Sequence, residues 1–488
     1  MNFSESPISR KKYQLPANND EEMINKFLKQ NKGKKIVCIQ GLGFVGTAMA
    51  LVVANSKANY CVIGVDLPSE SSFWRIGDFN SGILPLISSD EKIQRYYDAA
   101  LTAGSVQATH DENAYKFADV IVIDINLDVQ KNSASDMTLG SFDVDLSPFK
   151  LAMETVFNNC KEDALILVET TVPPGACEKI IWPIAQRIFK NRGLNINKMK
   201  LAHSYERVTP GPNYIDSIEN FHRVYSGINE HSADAAESFL SDVINVKNFP
   251  LRRLSKTTAS ETAKVLENSY RAMNIAFIQE WTEFAELSGV NLYEVIDAIR
   301  VRPTHRNIMR PGLGVGGYCL TKDPLLASWA SQSLFNGGQL YQSETAVRIN
   351  DKMPLHTLKI ILNYFQNALN FKRILLMGVS YLNDVGDTRF TPVGLLYEQL
   401  VSRGADVTLY DPYLSVWPEK SLTVENVMPS ENFDIVVVNL AHSVFYSDDC
   451  VAKINEINPA VLIDTMGVYL NYENRFKDSI DLRFVGKG

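Results

Sequence analysis

The sequence predicts an α/β protein built from two doubly wound, Rossmann-like regions with a long helix between them. Three observations carry this expectation. Apolar, strand-like runs alternate with helical patterns over residues 34–250 and again over 372–488, the signature of parallel βαβ units. A glycine-rich turn follows the first strand. Between the two regions, Ala259–Ser288 contains neither Gly nor Pro.

Taken in order, residues 1–33 read as a charged, Asn-rich extension, helical near Met23–Leu28. Strands are expected at Lys35–Gln40, Tyr60–Val65, Val120–Ile125, Ala164–Val168 and Met199–Ala202. Residues 251–371 read as a helical domain. Its first helix opens on Thr258-x-x-Glu261, a capping box, and stops at Gly289. At 1.5 Å per residue it is about 45 Å long, enough to connect two domains. A second helical stretch, Gln339–Phe371, is expected to break at Pro354. The last region begins with a strand at Arg373–Val379 and a helix at Pro392–Ser402, followed by strands at Asp406–Tyr410, Asp434–Leu440 and Ala460–Asp464.

Composition narrows the function. The chain has 488 residues, 45% hydrophobic and 21% charged, with a formal net charge of -8. A mildly acidic chain gains no long-range attraction for nucleic acid, so nucleic acid is not an expected partner. Six cysteines without a CxxC pair form neither a disulfide framework nor a zinc site. No metal is expected, and a reducing, cytoplasmic setting is. Ile36–Asn55 is uncharged over twenty residues, but its three glycines and changing period read as strand, turn and helix rather than a membrane span. The polar N-terminus has no apolar core and does not read as a signal peptide.

The most informative motif is Gly41-Leu42-Gly43-Phe44-Val45-Gly46, placed after a strand and at the start of a helix. Gly41 permits the tight turn, Gly43 lets a pyrophosphate approach the backbone, and Gly46 packs helix on sheet, with the helix N-terminus facing the phosphates. Asp66 ends the next strand, where a carboxylate accepts from the adenosine ribose hydroxyls; it would repel a 2′-phosphate, so NAD is favoured over NADP.

Other motifs follow strands or line the long helix. In Glu169-Thr170-Thr171-Val172-Pro173-Pro174-Gly175, Thr171 stands where a strand-end hydroxyl could hold water, although such a Thr is as readily structural. In Tyr205-Glu206-Arg207-Val208-Thr209-Pro210-Gly211, Glu206 could be a general base or one half of a loop ion pair. Glu261, Lys264, Asn268 and Arg271 share one helical face, which is either solvated or, through Lys264 and Asn268, able to cradle an oxyanion.

Gly312-Leu313-Gly314-Val315-Gly316-Gly317-Tyr318-Cys319 places four glycines before a cysteine, with Asp323 four residues on. A backbone-exposing, polar setting suits a nucleophile, whereas Cys38 and Cys61, on strands, read as small buried hydrophobes. Arg300, Arg302, Arg306 and Arg310 form either a solvated turn or a diphosphate clamp. Gly378-Val379-Ser380-Tyr381 lacks the dinucleotide fingerprint and suits a mononucleotide head group or a subunit interface.

Together, GLGFVG, ETTVPPG, ERVTPG, ETAKVLENSYRAMNIA, GLGVGGYCLTKD, MGVSYLNDVGDTRFTP and GADVTLYDP resemble the UDP-glucose/GDP-mannose dehydrogenase family, in family order over residues 34–470. The resemblance implies an NAD-binding domain over 34–250, a central dimerisation and substrate domain over 251–371, and a nucleotide-sugar-binding domain over 372–488. It also implies a homodimer or larger homo-oligomer. Cys319 would be the nucleophile, Lys264 and Asn268 the oxyanion pair, Asp323 a partner of Lys or water, Thr171 the water positioner and Glu206 the base. Gly41, Gly43, Phe44, Val45, Gly46, Asp66 and Arg75 would contact NAD. Gly316, Gly317, Lys322, Arg306 and Arg389 would contact a nucleotide-sugar substrate.

The chain departs from the family in four places. Ile125-Asn126-Leu127-Asp128 stands where many members read Val-Pro-Thr-Pro, Tyr205 replaces a Pro, Tyr381-Leu382 replaces Phe-Lys, and the Asp66–Arg75 link is longer. The motif forms are similar to those of members acting on UDP-N-acetylhexosamines. The expected reaction is a four-electron oxidation of a sugar C6 alcohol to a carboxylate through a Cys319 thioester. Alternatives are a UDP-glucose or GDP-mannose 6-dehydrogenase, a two-electron hydroxyacid dehydrogenase that needs no cysteine, or a nucleotide-sugar-binding homologue with weakened catalysis.

Overall fold

The computed structural model describes residues 3–133, 139–208 and 211–488. Thr209 and Pro210 of the Glu206 motif lie outside them. Contacts divide the chain into two compact units. One comprises Met1–Asp128, Val144–Val265 and Ser333–Asn336; the other comprises Val129–Asp143, Leu266–Gln332 and Gly337–Gly488.

The first unit is organised by an eight-stranded sheet. From one edge the strands run Val106–Thr109, Cys61–Val65, Ile36–Gln40, Val120–Ile123, Leu165–Val168, Lys200–Tyr205, Val224–Gly227 and Arg252–Arg253. The first six are parallel in the order 3-2-1-4-5-6, the doubly wound arrangement that binds dinucleotides where the order reverses. That reversal lies between Ile36–Gln40 and Val120–Ile123. Val37, Ile39, Val62, Val120 and Val122 pack with the buried helix Phe44–Ala54 in the main core.

Several expectations are corrected here. Val120–Ile123 ends two residues early because the Ile125 N–H and carbonyl both bond the Thr170 hydroxyl instead of a neighbouring strand. Val106–Thr109, Val224–Gly227 and Arg252–Arg253 are strands not anticipated from the sequence, and Val224–Gly227 pairs antiparallel with Lys200–Tyr205. The residues before the sheet hold the helix expected near Met23–Leu28 and a hairpin that was not anticipated. Phe3–Glu5 and Lys12–Gln14 form an antiparallel hairpin, and Glu21–Gln30 is a helix that buries Ile24 and Phe27.

The long helix is unbroken from Thr257 to Ser288. Its 32 residues span about 48 Å, and the division between units falls within it. Gly289, at φ 70°, ends it. The expected capping box does not form, because Glu261 is buried and accepts from the Gly175 and Cys177 N–H groups at 2.6 and 2.8 Å. Nor does Pro354 break its helix, which runs from Tyr341 to Tyr364 with the proline inside.

The second unit contains a five-stranded, wholly parallel sheet. Its order is Asp406–Tyr410, Arg373–Met377, Ile435–Val438, Val461–Asp464, Asp481–Phe484. Alternation along Arg373–Met377 serves two cores: Ile374 and Leu376 pack on one face, Leu375 and Met377 on the other. This is a second doubly wound fold, with its reversal beside Gly378. The hairpin Gln130–Ser133 and Leu139–Asp143 also belongs to this unit.

Candidate active site

In the first unit, a cavity of about 820 Å³ opens at the carboxyl ends of the strands, where the order reverses. Gly41, Gly43, Asp66, Arg75, Asp124, Ile125 and Asn126 line it. Gly41 has φ 95°, and a Cβ there would stand 2.5 Å from the Asp124 carbonyl oxygen. A Cβ at Gly46 would overlap the Gly41 carbonyl oxygen, whereas one at Gly43 would meet nothing within 4 Å. The backbone is thus crowded at the outer glycines and open at Gly43, which leaves room for a phosphate at the N-terminus of Phe44–Ala54. Phe44 and Val45, in the first turn, are half-buried. Asp66 accepts from the N–H groups of Leu42 and Leu67 at 3.1 and 2.7 Å. Burial raises its pKa, opposed by Arg75, whose guanidinium lies 3.7 Å away.

A buried charged cluster occupies the neighbouring strand ends. Lys264 donates to the Glu206 carbonyl at 2.8 Å and stands 3.4 Å from its carboxylate. Glu169 pairs with Arg223 at 2.8 Å, both almost fully buried. Burial raises the pKa of Glu169. It raises that of Asp124 well above its ordinary value, with Glu169 and Glu206 adding to the effect. Oδ2 of Asp124 is buried without a hydrogen-bond partner. His203, 2.7 Å from the Ser260 hydroxyl, is pushed down to about 3 by burial and by Lys264. Thr170 is committed to the backbone at Ile123 and Ile125, while Thr171 beside it is half-buried.

In the second unit, Cys319 is exposed in the first turn of the helix Tyr318–Phe335, while the other five cysteines are buried. The glycines before it allow close packing within the chain. A Cβ at Gly316 would stand 2.5 Å from the Phe390 carbonyl oxygen, and one at Gly317 would stand 2.8 Å from the Tyr381 ring. The Gly317 N–H donates to the Arg389 carbonyl at 2.9 Å. Asn350 holds the same loop through the N–H and carbonyl of Val315, both at 2.8 Å. Asp323, fully buried, bridges two other predicted residues: it accepts from Asn268 at 2.6 Å and Lys322 at 2.9 Å.

Arg389 is held by Asp387 and lies over the Tyr318 ring, 5.1 Å from its centroid. The arginine cluster divides. Arg300 donates to the Ile308 carbonyl and Arg310 pairs with Asp297, while Arg302 and Arg306 are exposed. On the long helix, Lys264 and Asn268 are buried but Arg271 is exposed.

Comparison with known proteins decides the lineage. Residues 34–243 match the NAD binding domain of the UDP-glucose/GDP-mannose dehydrogenase family, 258–352 its central domain and 375–471 its UDP binding domain. The chain belongs to this family. It is an NAD-dependent nucleotide-sugar dehydrogenase, and the cleft lined by Gly41 and Gly43 lies in the family's NAD binding domain. The UDP-N-acetyl-D-mannosamine dehydrogenase of Methanocaldococcus jannaschii is 28% identical over 95% of this chain and 99% of its own. Among solved structures, the UDP-D-ManNAc dehydrogenase of Pyrococcus horikoshii superposes with a TM-score of 0.75 at 26% identity, covering 93% of this chain and 99% of that one. The NDP-N-acetyl-D-galactosaminuronic acid dehydrogenase of Methanosarcina mazei Go1 gives 0.74 at 25%, covering 95% and 98%.

The departures from the family pattern acquire physical settings. Tyr205 is buried, and its ring lies 5.6 Å from Lys264 Nζ and 4.9 Å from the Arg207 guanidinium, a cation–π platform for both. Tyr381 fills the space left by Gly317 and is pushed up to about 12 by burial and Asp387. Arg223 and His203 in the first unit, and Asp387 and Asn350 in the second, were not expected beside the predicted residues. Their partners lie 54, 57, 2 and 35 residues away, and only the Asp387–Arg389 spacing is short enough to read from a sequence. Among the described residues, no helix is long and apolar enough to cross a membrane.

Proposed function

We propose that the chain oxidises the C6 alcohol of a UDP-N-acetylhexosamine to the uronate, supplying an acidic sugar for surface polysaccharide. The observation that carries this is Cys319, the exposed cysteine, placed in the first helical turn after a glycine loop. A helix N-terminus favours the thiolate form from which the sulfur attacks. Names of relatives that act on N-acetylated sugars support the substrate class.

When bound, NAD, held by Gly41, Gly43, Phe44, Val45, Gly46, Asp66 and Arg75, would supply the hydride acceptor for each oxidation step. The chain's residues do the rest. Lys264 and Asn268 steady the alkoxide as the alcohol proton passes to water, and loss of the first hydride from C6 gives the aldehyde. The Cys319 thiol adds to the aldehyde, giving a thiohemiacetal, and loss of a second hydride leaves a thioester. Glu206 takes a proton from water held by Thr171. The water oxygen bonds the acyl carbon, the C–S bond breaks, and acid and thiol are released. Covalent capture prevents escape of the aldehyde. Asp323 holds Asn268 and Lys322 in place. Gly316, Gly317, Lys322, Arg306 and Arg389 are assigned to substrate, and Asp66 to the adenosine ribose.

The chain acts as a homodimer or larger homo-oligomer. Leu266, Tyr270, Phe277, Trp281, Phe284 and Leu287 are all exposed on the long helix, at spacings that form one apolar stripe. A second copy would cover it.

The test is a panel of UDP- and GDP-sugars assayed for NADH release. The proposal requires the highest kcat/KM with a UDP-N-acetylhexosamine. Preference for UDP-glucose or GDP-mannose would overturn the substrate assignment.

A further inference from the structure

The segment just before the first helix contributes to the cofactor cavity. Pro16, Ala17, Asn18 and Asn19 line it together with Gly41, Gly43, Asp66 and Arg75. They lie at the end formed by the strands Cys61–Val65 and Val106–Thr109, next to Asp66 and His110. In a doubly wound sheet of this order, that is the adenosine end.

The segment is built in on both sides. After it, Asp20 accepts from the Thr109 hydroxyl at 2.6 Å and lies 3.0 Å from His110 Nδ1. The Asp20 N–H donates to Asp111 at 3.1 Å, and His110 Nε2 lies 3.0 Å from the Asn18 carbonyl. Asp20 is the N-cap residue of Glu21–Gln30 but makes no capping hydrogen bond. The side chain suited to stabilise the helix is spent on the strand end instead. Before the segment, the hairpin is fastened to the helix Phe73–Asn80. Ser6, Ser9 and Tyr13 donate to buried Asp78 at 2.5, 2.7 and 2.7 Å. A Cβ at Gly77 would overlap the Tyr13 ring, so that helix has given up a side chain where the hairpin rests.

We propose that Pro16–Asn19 form the outer wall of the adenosine subsite, making the N-terminal hairpin and its linker a cofactor-binding element. The inference rests on NAD occupying the cleft lined by Gly41 and Gly43. Pro16 and Ala17 offer an apolar surface to a purine face, and Asn18 and Asn19 are exposed amides within reach of its edge.

Amide hydrogen exchange on the full chain tests this, with ADP-ribose and nicotinamide mononucleotide as probes. ADP-ribose should slow exchange at 17–20 and at 41–45 by about tenfold or more, while nicotinamide mononucleotide leaves 17–20 unchanged. Protection at 41–45 without protection at 17–20 would overturn the proposal and leave the cleft assignment intact. Protection at neither would overturn both. As a second readout, Asp20→Ala with an unchanged Tm should weaken ADP-ribose about fivefold or more by calorimetry, with nicotinamide mononucleotide unaffected. Equal Kd values for ADP-ribose would contradict it.

Discussion

Lys264 grips Glu206 twice, donating to its backbone carbonyl at 2.8 Å and standing 3.4 Å from its carboxylate. The ammonium proposed to steady the alkoxide therefore also orients the proposed base. Glu206→Gln keeps the shape but cannot take a proton from water. Steady-state turnover should fall about 10²- to 10⁴-fold, yet the first turnover should still release two NADH per site, because hydrolysis is the last step. Stopped-flow NADH absorbance measures both. Loss of the early NADH would remove Glu206 from the hydrolytic role.

Glu261 ties the Gly175–Cys177 turn to the long helix and is pushed up to about 7 by burial, against hydrogen bonds from Cys177 and Gly175. Its ordinary value is 4.5. Between these values the unfolded chain has lost this proton while the folded chain keeps it, so stability declines as pH rises through the window. The loss is up to about 3 kcal/mol by pH 7 and above. Urea midpoints should fall more steeply across this window in the wild type than in Glu261→Gln, because the other buried carboxylates with raised pKa contribute equally to both. Parallel curves would contradict the assignment.

The six cysteines should react unequally, since Cys319 is the exposed one. Iodoacetamide on the native protein should label Cys319 first, read by peptide mass spectrometry. Saturating substrate analogue should slow it, and the inactivation rate should match the labelling rate. Labelling of Cys177 or Cys450 ahead of Cys319 would be inconsistent with this burial pattern.

On the exposed stripe of the long helix, Trp281 lies between Phe277 and Phe284, with ring centroids 6.2 and 5.5 Å away. Trp281→Glu places a charge in the proposed contact between copies and should shift the mass seen by light scattering to that of the monomer. An unchanged mass would move the interface elsewhere.

Local signals were legible in the sequence and long-range ones were not. The glycine turn with Asp66 and the uninterrupted long helix each depend on neighbours within one element or one βα unit. Cys319 stood out because glycines precede it. Glu261 shows the limit. Its spacing from Thr258 fits a capping box, but burial against Gly175, 86 residues away, redirects the carboxylate. Pro354 shows another: a kink rule based on one lost hydrogen bond yields to the packing of buried Met353, Leu358 and Ile361. The Asp20 and Asp78 anchors of the hairpin span 91 and 72 residues and have no periodic signature.

The central claim is a covalent four-electron oxidation at Cys319, and the most direct measurement counts NADH released against uronate formed for wild type and Cys319→Ala. The account predicts two NADH per uronate in the wild type and no uronate from the alanine variant. One NADH per oxidised product, or uronate made without the thiol, would contradict it.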